Sequence, residues 1–445
     1  MNTPIYDFVK KYSDSKVSRF HMPGHKGRGI LGCEKYDITE IGGADVLYHA
    51  DGIIAESENN ATELFGTAHS FYSTEGSTLA IKAMLFLALG NAKELGKAKK
   101  ILAARNVHSA FINACALLDL EVDWIGVEQK HICAVSVSTS DVRAAFEAAD
   151  ELPQALYLTS PDYLGNVADI KSIAEVCDEY GVLLLVDNAH GAYLAFLDES
   201  RHPMALGAHL CADSAHKTLP VLTGGAYLHV SKKCEGLVAG ARSALRLFAS
   251  TSPSYLTLCS LDIANAALSD GYISRIRETA KAVNVLRTEL FQREIITVGD
   301  EPFKLTLDCH SIGYFGTEIA ELLREKGIEC EFADGRYAVL MISPENTADE
   351  LGALKDTLLL IEKRAAMAVD APPVSAHGRR ACSIREAVLS PHETVKSENA
   401  LGRICGAPAV SCPPAIPIVV SGEVIDQRAV ELLRFYGIDS IEVIK

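Results

Sequence analysis

The chain has 445 residues, enough for two or three domains with a substantial buried core, and its 48% hydrophobic and 22% charged residues describe a packed globular protein, not a disordered or disulfide-stapled one. A formal charge of −16 leaves most of the surface without the phosphate attraction that dominates nucleic-acid binding, so DNA, RNA and anionic membranes are poor partners. Twelve cysteines are scattered singly, with no CxxC pair and no Cys/His cluster at zinc spacing, and they read as reduced core residues of a cytoplasmic protein.

The start, MNTPIYDFVKKYSDSK, lacks the apolar run of a secretory signal, and the longest apolar stretch, Ala83 to Leu89, is far shorter than the roughly 20 residues of a spanning helix. Between about 75 and 230, strand-length apolar runs alternate with stretches of helical period, which predicts an α/β fold with a mainly parallel sheet covered by helices. In chain order the pattern gives helix 77–90, strand 100–104, helix 109–119, strand 121–125, helix 141–149, strand 154–159, helix 169–180 and strands 182–187, 209–213 and 224–230. The segment 169–180 shows the logic: Ile170, Ile173, Ala174, Cys177 and Tyr180 share one helical face, and Gly181 stops it. A long helical stretch at 262–294 then leads to strand 303–308, helix 317–326, strands 328–332 and 337–342 and helix 347–365, a smaller α+β unit. Pro413 and Pro414 are expected to break regular structure in the C-terminal segment, which would pack as an extended strip. The expected division is 1–40, a large domain 41–262, a small α+β domain 263–370 and a C-terminal domain 371–445.

In a doubly wound fold, ligands sit beyond the carboxyl ends of the parallel strands. Four such places carry polar residues. Gly76-Ser77-Thr78, ahead of an apolar helix, offers amides and hydroxyls to a phosphate, although the same residues also make an ordinary helix cap. His108 follows strand 100–104, where a lone histidine is more often a hydrogen-bonded loop residue. Asp187 ends the buried run VLLLVD, ahead of Asn188-Ala189-His190-Gly191, and needs either a partner or a capping role. Lys217, in Ser214-Ala215-His216-Lys217-Thr218-Leu219-Pro220, sits among small and apolar neighbours whose burial would turn it into an amine nucleophile, unless it is structural. Together these four places supply a phosphate cradle, a stacking ring, an anion for a pyridine nitrogen and an amine for an aldehyde, the parts that hold pyridoxal 5′-phosphate (PLP).

At this point the sequence resembles PLP-dependent enzymes of the aspartate-aminotransferase fold, fold type I, and within them the Orn/Lys/Arg decarboxylase family. The marks run along nearly the whole chain: Phe20-His21-Met22-Pro23-Gly24-His25-Lys26-Gly27, Asp37-Ile38-Thr39-Glu40, the Gly-Ser-Thr turn, Asp187 with Ala189-His190-Gly191, and the SAHKTLP run. The tail adds Arg385-Glu386-Ala387, Glu393-Thr394-Val395, Gly402-Arg403-Ile404 and Pro413-Pro414-Ala415-Ile416-Pro417. Three differences accompany the likeness. STEGST stands where relatives more often have Asn before the Gly, Ala415 replaces a usual Gly, and the chain lacks the receiver-like domain of the large inducible members, resembling instead the short biosynthetic ones.

The resemblance implies that Lys217 forms a Schiff base with PLP, Asp187 pairs with the pyridine nitrogen, Ala189 packs beneath the ring and His108 stacks above it. Gly76, Ser77, Thr78, Ser214 and His216 would hold the phosphate, Ser160 would approach the ring hydroxyl, and His190 would lie near the substrate carboxylate. It also implies a homodimer or higher homo-oligomer in which the HMPGHKG loop completes the neighbour's site. The expected reaction is decarboxylation of arginine, lysine or ornithine, a small-molecule substrate, with Lys217 or His216 as proton donor to the carbon that loses CO2. The alternatives are an aminotransferase on the same fold, which commonly clamps the α-carboxylate with an Arg in the small domain, and a PLP-binding protein with little turnover. Strand 337–342 holds no Arg, and Arg336 lies just outside it.

Overall fold

The computed structural model of the chain describes residues 1–94, 99–126, 131–134, 137–368, 378–407 and 417–445, with the side chains of 92–94 left aside. In chain order these form α1 (Pro4–Ser13), α2 (Ile53–Phe65), β1 (His69–Ser73), α3 (Gly76–Glu94), β2 (Lys100–Ala103), α4 (Ser109–Leu118), β3 (Glu121–Trp124), α5 (Thr139–Glu147), β4 (Ala155–Thr159), α6 (Ile170–Tyr180), β5 (Leu183–Asp187), β6 (Leu210–Asp213), α7 (Ala215–Thr218) and β7 (Ala226–Val230). They continue as α8 (Val238–Phe248), α9 (Tyr255–Ala267), α10 (Ile273–Gln292), β8 (Thr297–Val298), β9 (Lys304–Asp308), α11 (Gly316–Glu325), β10 (Phe332–Ala333), β11 (Tyr337–Met341), α12 (Ala348–Leu359), α13 (Ile384–Leu389), β12 (His392–Lys396), α14 (Gln427–Phe435) and β13 (Ser440–Ile444). Among the described residues no helix is long and apolar enough to cross a membrane.

Between 76 and 230 the expected elements are all present, with ends that coincide or shift by up to four residues. The helix expected at 141–149 starts instead at Thr139, because Ser138 and Asp141 form a reciprocal capping box there. The single helix expected over 262–294 is two, since Asp270 leaves helical geometry and Gly271 turns left-handed (φ +88°). The helix expected at 347–365 ends at Leu359, and the strand expected at 328–332 is confined to Phe332–Ala333. The C-terminal strip is more regular than expected: α13, β12, α14 and β13 lie either side of Pro413 and Pro414, which fall outside the described residues.

The chain divides into two compact units. The first takes Met1–Lys99, Ala149–Leu158 and Ile170–Ser274. Its strands follow the order β1-β7-β6-β5-β4; β5 and β6 pair in parallel with Asp187 beside its β6 neighbour Ala212, and β7 runs against β6 and β1. α3 is apolar nearly all round because it lies between α8 and the strands β6 and β7. α6 buries Ile170, Ile173, Ala174 and Cys177, the face read from the sequence, adds Val176, and leaves Tyr180 half-buried. Asp262 of α9 ties down the N-terminus: its Oδ2 accepts the first-turn amides of Ile5 and Tyr6 in α1, each at 2.9 Å.

The second unit takes Lys100–Ala148, Thr159–Asp169 and Arg275–Lys445. β2 and β3 pair in parallel, and a separate antiparallel sheet has the order β10-β11-β9-β8. β11 separates two cores by strict alternation. Ala338 and Leu340 face a cluster with Leu305, Leu307, Ile319 and Leu358, while Tyr337 and Val339 face one built with Val419, Ile425, Leu433 and Val443 of the C-terminal strip. The strip is also pinned by a buried bidentate pair, in which Arg105 Nη1 and Nη2 donate to Glu423 Oε1 and Oε2 at 2.7 and 2.6 Å.

Candidate active site

The first unit brings two turns together at the ends of β5 and β6. Asp187, 2% exposed, closes β5; its Oδ2 accepts the Tyr157 hydroxyl at 3.1 Å and its Oδ1 the Ala189 amide at 3.2 Å, partners that a buried carboxyl group needs. Three residues on, His190 is 5% exposed, and its Nε2 lies 3.1 Å from Lys217 Nζ, a hydrogen bond in which the amine donates when protonated. Lys217 itself is half-buried, on the single turn α7 that follows β6. Tyr157 was not singled out from the sequence. Its signal was present, since a tyrosine inside the buried strand ALYLT must find a partner for its hydroxyl.

His216 precedes Lys217 on the same turn. Its Nδ1 donates to the Gly225 carbonyl at 3.0 Å, which places the ring proton there and leaves Nε2 as the acceptor. Burial lowers the His216 pKa below that of an ordinary histidine, and the neighbouring Lys217 charge adds to the effect against the opposing Gly225 hydrogen bond.

The Gly-Ser-Thr turn meets the lysine turn directly. Ser214 Oγ donates to Ser77 Oγ at 2.8 Å, and the Gly76 amide donates to the Gly224 carbonyl at 2.7 Å. Gly224 adopts φ +94°, and a Cβ on it would lie 2.7 Å from the Thr74 carbonyl oxygen, so only glycine permits this approach. Ser77 and Thr78 lie in the first turn of α3, whose leading amides have no partner within the helix and whose dipole favours an anion. Beside Lys217, the Thr218 hydroxyl is buried with no hydrogen-bond partner.

Ala189 is 9% exposed, a small apolar residue between Asp187 and His190. The remaining two residues singled out, His108 and Ser160, belong to the second unit. His108 caps α4, its Nδ1 accepting the Ala110 amide at 3.1 Å, and Ser160 Oγ accepts the Ala168 amide at 3.0 Å. In that unit Arg336 donates through Nε and Nη2 to both oxygens of Asp308, at 3.1 and 2.8 Å.

The arrangement can do three things chemically. A half-buried amine in contact with an imidazole can react with an aldehyde; a buried, hydrogen-bonded carboxylate can hold a cationic ring nitrogen; two hydroxyls at a helix start can take an anion.

Residues 3–301 match the family model described as "Orn/Lys/Arg decarboxylase, major domain". The chain is 30% identical to the arginine decarboxylase of Bacillus subtilis strain 168 over 474 aligned residues, covering 98% of this chain and 94% of that one. It is 29% identical to the arginine decarboxylase of Bacillus anthracis, covering 97% and 92%. Among solved structures, the lysine decarboxylase LdcF of Francisella novicida superposes with a TM-score of 0.79 at 17% identity, covering all of this chain and 81% of that one, a likeness that carries the fold expected from the sequence.

Proposed function

This chain belongs to the Orn/Lys/Arg decarboxylase family, and we propose that it converts arginine, lysine or ornithine to the corresponding amine and CO2 with PLP held at Lys217. The observation that carries this reading is the contact of Lys217 Nζ with His190 Nε2 on the turn after β6, with Asp187 buried at the end of the adjoining β5.

The residues fit the cofactor by their donor set. Lys217 supplies the amine, Asp187 the anion for the ring nitrogen, Ala189 a small apolar contact, and Ser77, Ser214 and the first turn of α3 the phosphate donors. The unsatisfied Thr218 hydroxyl gives a further polar atom beside Lys217 for a bound group to meet. Gly76, Thr78 and His216 complete the proposed set. When bound, PLP supplies the electron sink that takes up the pair left by the breaking bond between Cα and the carboxylate.

The chain's own groups handle charge and protons. Tyr157 and the Ala189 amide both donate to the Asp187 carboxyl group, and a fixed anion at a ring nitrogen would keep the proton on that nitrogen. His190 orients the Lys217 amine by accepting from it, and is placed in the reading near the substrate carboxylate. Two groups are candidates to deliver the proton to the carbon that has lost CO2: the Lys217 amine, and His216, whose Nε2 is the ring's acceptor and whose lowered pKa keeps it neutral until it takes a proton.

An aminotransferase on this fold is not favoured. Arg336, just outside the strand where such enzymes commonly carry a carboxylate clamp, is already engaged by both oxygens of Asp308. A homodimer is part of the proposal. Phe20, Ile30 and Leu31, which flank the HMPGHKG segment, are 95%, 101% and 82% exposed, an amount of apolar surface that a second copy would cover.

The test is incubation of the purified protein and PLP with each basic amino acid, scoring CO2 and amine against keto acid. CO2 with stoichiometric amine is expected, and keto acid without CO2 overturns the proposal. Borohydride should fix PLP covalently on the wild type and not on Lys217→Ala.

A further inference from the structure

Behind the candidate active site lies a buried polar group that the proposed reaction leaves without a task. Asp213, the last residue of β6, has no solvent exposure and takes four donors. Its Oδ1 accepts from Asn188 Nδ2 at 2.7 Å and, weakly, from Cys211 Sγ at 3.4 Å; its Oδ2 accepts from His202 Nε2 at 2.8 Å and His229 Nε2 at 3.1 Å. Phe65 packs against both imidazoles, with ring centroids 5.4 and 4.5 Å away. Burial alone would push this carboxyl up, but the two imidazoles and their hydrogen bonds hold it well below the usual carboxylate range.

A histidine, a cysteine and an aspartate as close together as His202, Cys211 and Asp213 resemble metal ligands. The hydrogen bonding argues otherwise. The Met204 amide donates to His202 Nδ1 at 3.3 Å, which puts that ring's proton on Nε2, and a protonated Nε2 has no lone pair for a cation. The Cys211 thiol is pushed far up by burial and by Asp213, so it stays a donor. The cluster is a hub of hydrogen bonds centred on one carboxylate.

What the hub holds is Asn188, the residue between Asp187 and Ala189. Asn188 is fully buried; its amide donates to the Ala212 carbonyl at 2.9 Å, and its own carbonyl accepts the Gly191 amide at 2.8 Å. A Cβ on Gly191 would lie 2.0 Å from Asn188 Oδ1, so the chain closes tightly over this side chain. On its other side Asp213 is joined directly to Ser214, the start of the turn that carries His216 and Lys217. Both strand-end segments therefore take their position from the same carboxylate.

Resting on the decarboxylase reading above, we infer that Asp213 is a positioning residue which, through Asn188, sets the Asp187–His190 segment against the Lys217 turn. The test uses the full-length protein freed of cofactor and titrated with PLP, following affinity by fluorescence and the pH midpoint of the visible absorbance of the bound cofactor, with melting temperatures in parallel. Asp213→Asn presents an amide group to donors that the carboxylate had accepted, and Asn188→Ala removes the connecting donor while leaving the charge and both histidine contacts in place. Each should weaken PLP binding about tenfold or more and displace the pH midpoint. The double variant should lose no more than the worse single one. Leu245→Ala, a buried α8 change outside the hub, should lower the melting temperature and move neither cofactor reading. Wild-type affinity and midpoint in folded Asp213→Asn or in Asn188→Ala overturn the inference; if Asp213→Asn does not fold, Asn188→Ala decides. Failure of the underlying reading looks different: the wild type then takes up no PLP that borohydride fixes on Lys217, and the inference falls with it.

Discussion

Replacing Asp187 with Asn separates charge from shape at the centre of the proposed site. The wild-type carboxylate is 2% exposed and accepts the Ala189 amide at 3.2 Å and the Tyr157 hydroxyl at 3.1 Å. In Asp187→Asn the remaining oxygen keeps the Ala189 amide, which cannot turn, while the new amide group faces the Tyr157 phenol, which can rotate to accept. The expected stability loss is therefore about 1 kcal/mol, one weakened hydrogen bond. The loss of charge is larger. A charge pair about 4 Å apart in an effective dielectric of about 20 is worth about 4 kcal/mol, which corresponds to about 10³-fold in rate if it supports the transition state. Release of CO2 should be followed under saturating substrate and excess PLP, beside a thermal melt. The expected result is a kcat lower by about 10³-fold with the melting temperature within a few degrees of wild type. A folded Asp187→Asn protein that keeps kcat within tenfold of wild type refutes the assignment of a charge-dependent role to this residue.

Three further outcomes follow from the packing. Arg105→Ala leaves Glu423 charged, buried and without its guanidinium, and should cost about 3–5 kcal/mol of unfolding free energy by urea titration; a loss below about 1 kcal/mol would show that the pair is not buried in solution. Asp262 has its pKa pushed up to about 6 by burial, against the hydrogen bonds from Ser57, Tyr6 and Ile5, so the folded state favours its protonated form. The resulting stabilisation is fully present below the ordinary value near 3.8 and is lost as pH rises through about 6. Wild-type stability should carry a falling contribution of up to about 3 kcal/mol between pH 4 and 7 that Asp262→Asn lacks, and identical pH slopes would count against it. Gly224→Ala sets a Cβ 2.7 Å from the Thr74 carbonyl at φ +94°, so it should separate the two turns and weaken PLP binding more than it lowers the melting temperature; unchanged affinity would refute the close approach.

What could be read from the sequence was local. The strand VLLLVD and the helix 170–180 declare themselves because burial imposes a period on residues adjacent in the chain. The turns with Gly76, Ser77, Asp187 and Lys217 were legible because each follows or precedes such an element. α1, α2 and β1 went unread because motif residues, not periodicity, dominate that region. α8, although amphipathic, was passed over between stronger signals. The hub around Asp213 was beyond reach in principle: Asn188, His202 and His229 are separated by loops and strands, and nothing in their spacing says that three side chains will meet one carboxylate. Tyr157 failed to register for the opposite reason, hidden within a strand whose other residues are plain core.

The alternation along β11 sets a rule for how this protein can vary. Because successive side chains are committed to opposite packing layers, adding or deleting one residue within Tyr337–Met341 would exchange the occupants of both layers at once, placing Tyr337 where Ala338 belongs. Insertions should therefore be tolerated in the flanking loops and rejected inside this strand. Volume changes at Val339 should need compensation from the C-terminal strip, whereas those at Ala338 should be answered among α10, α11 and α12.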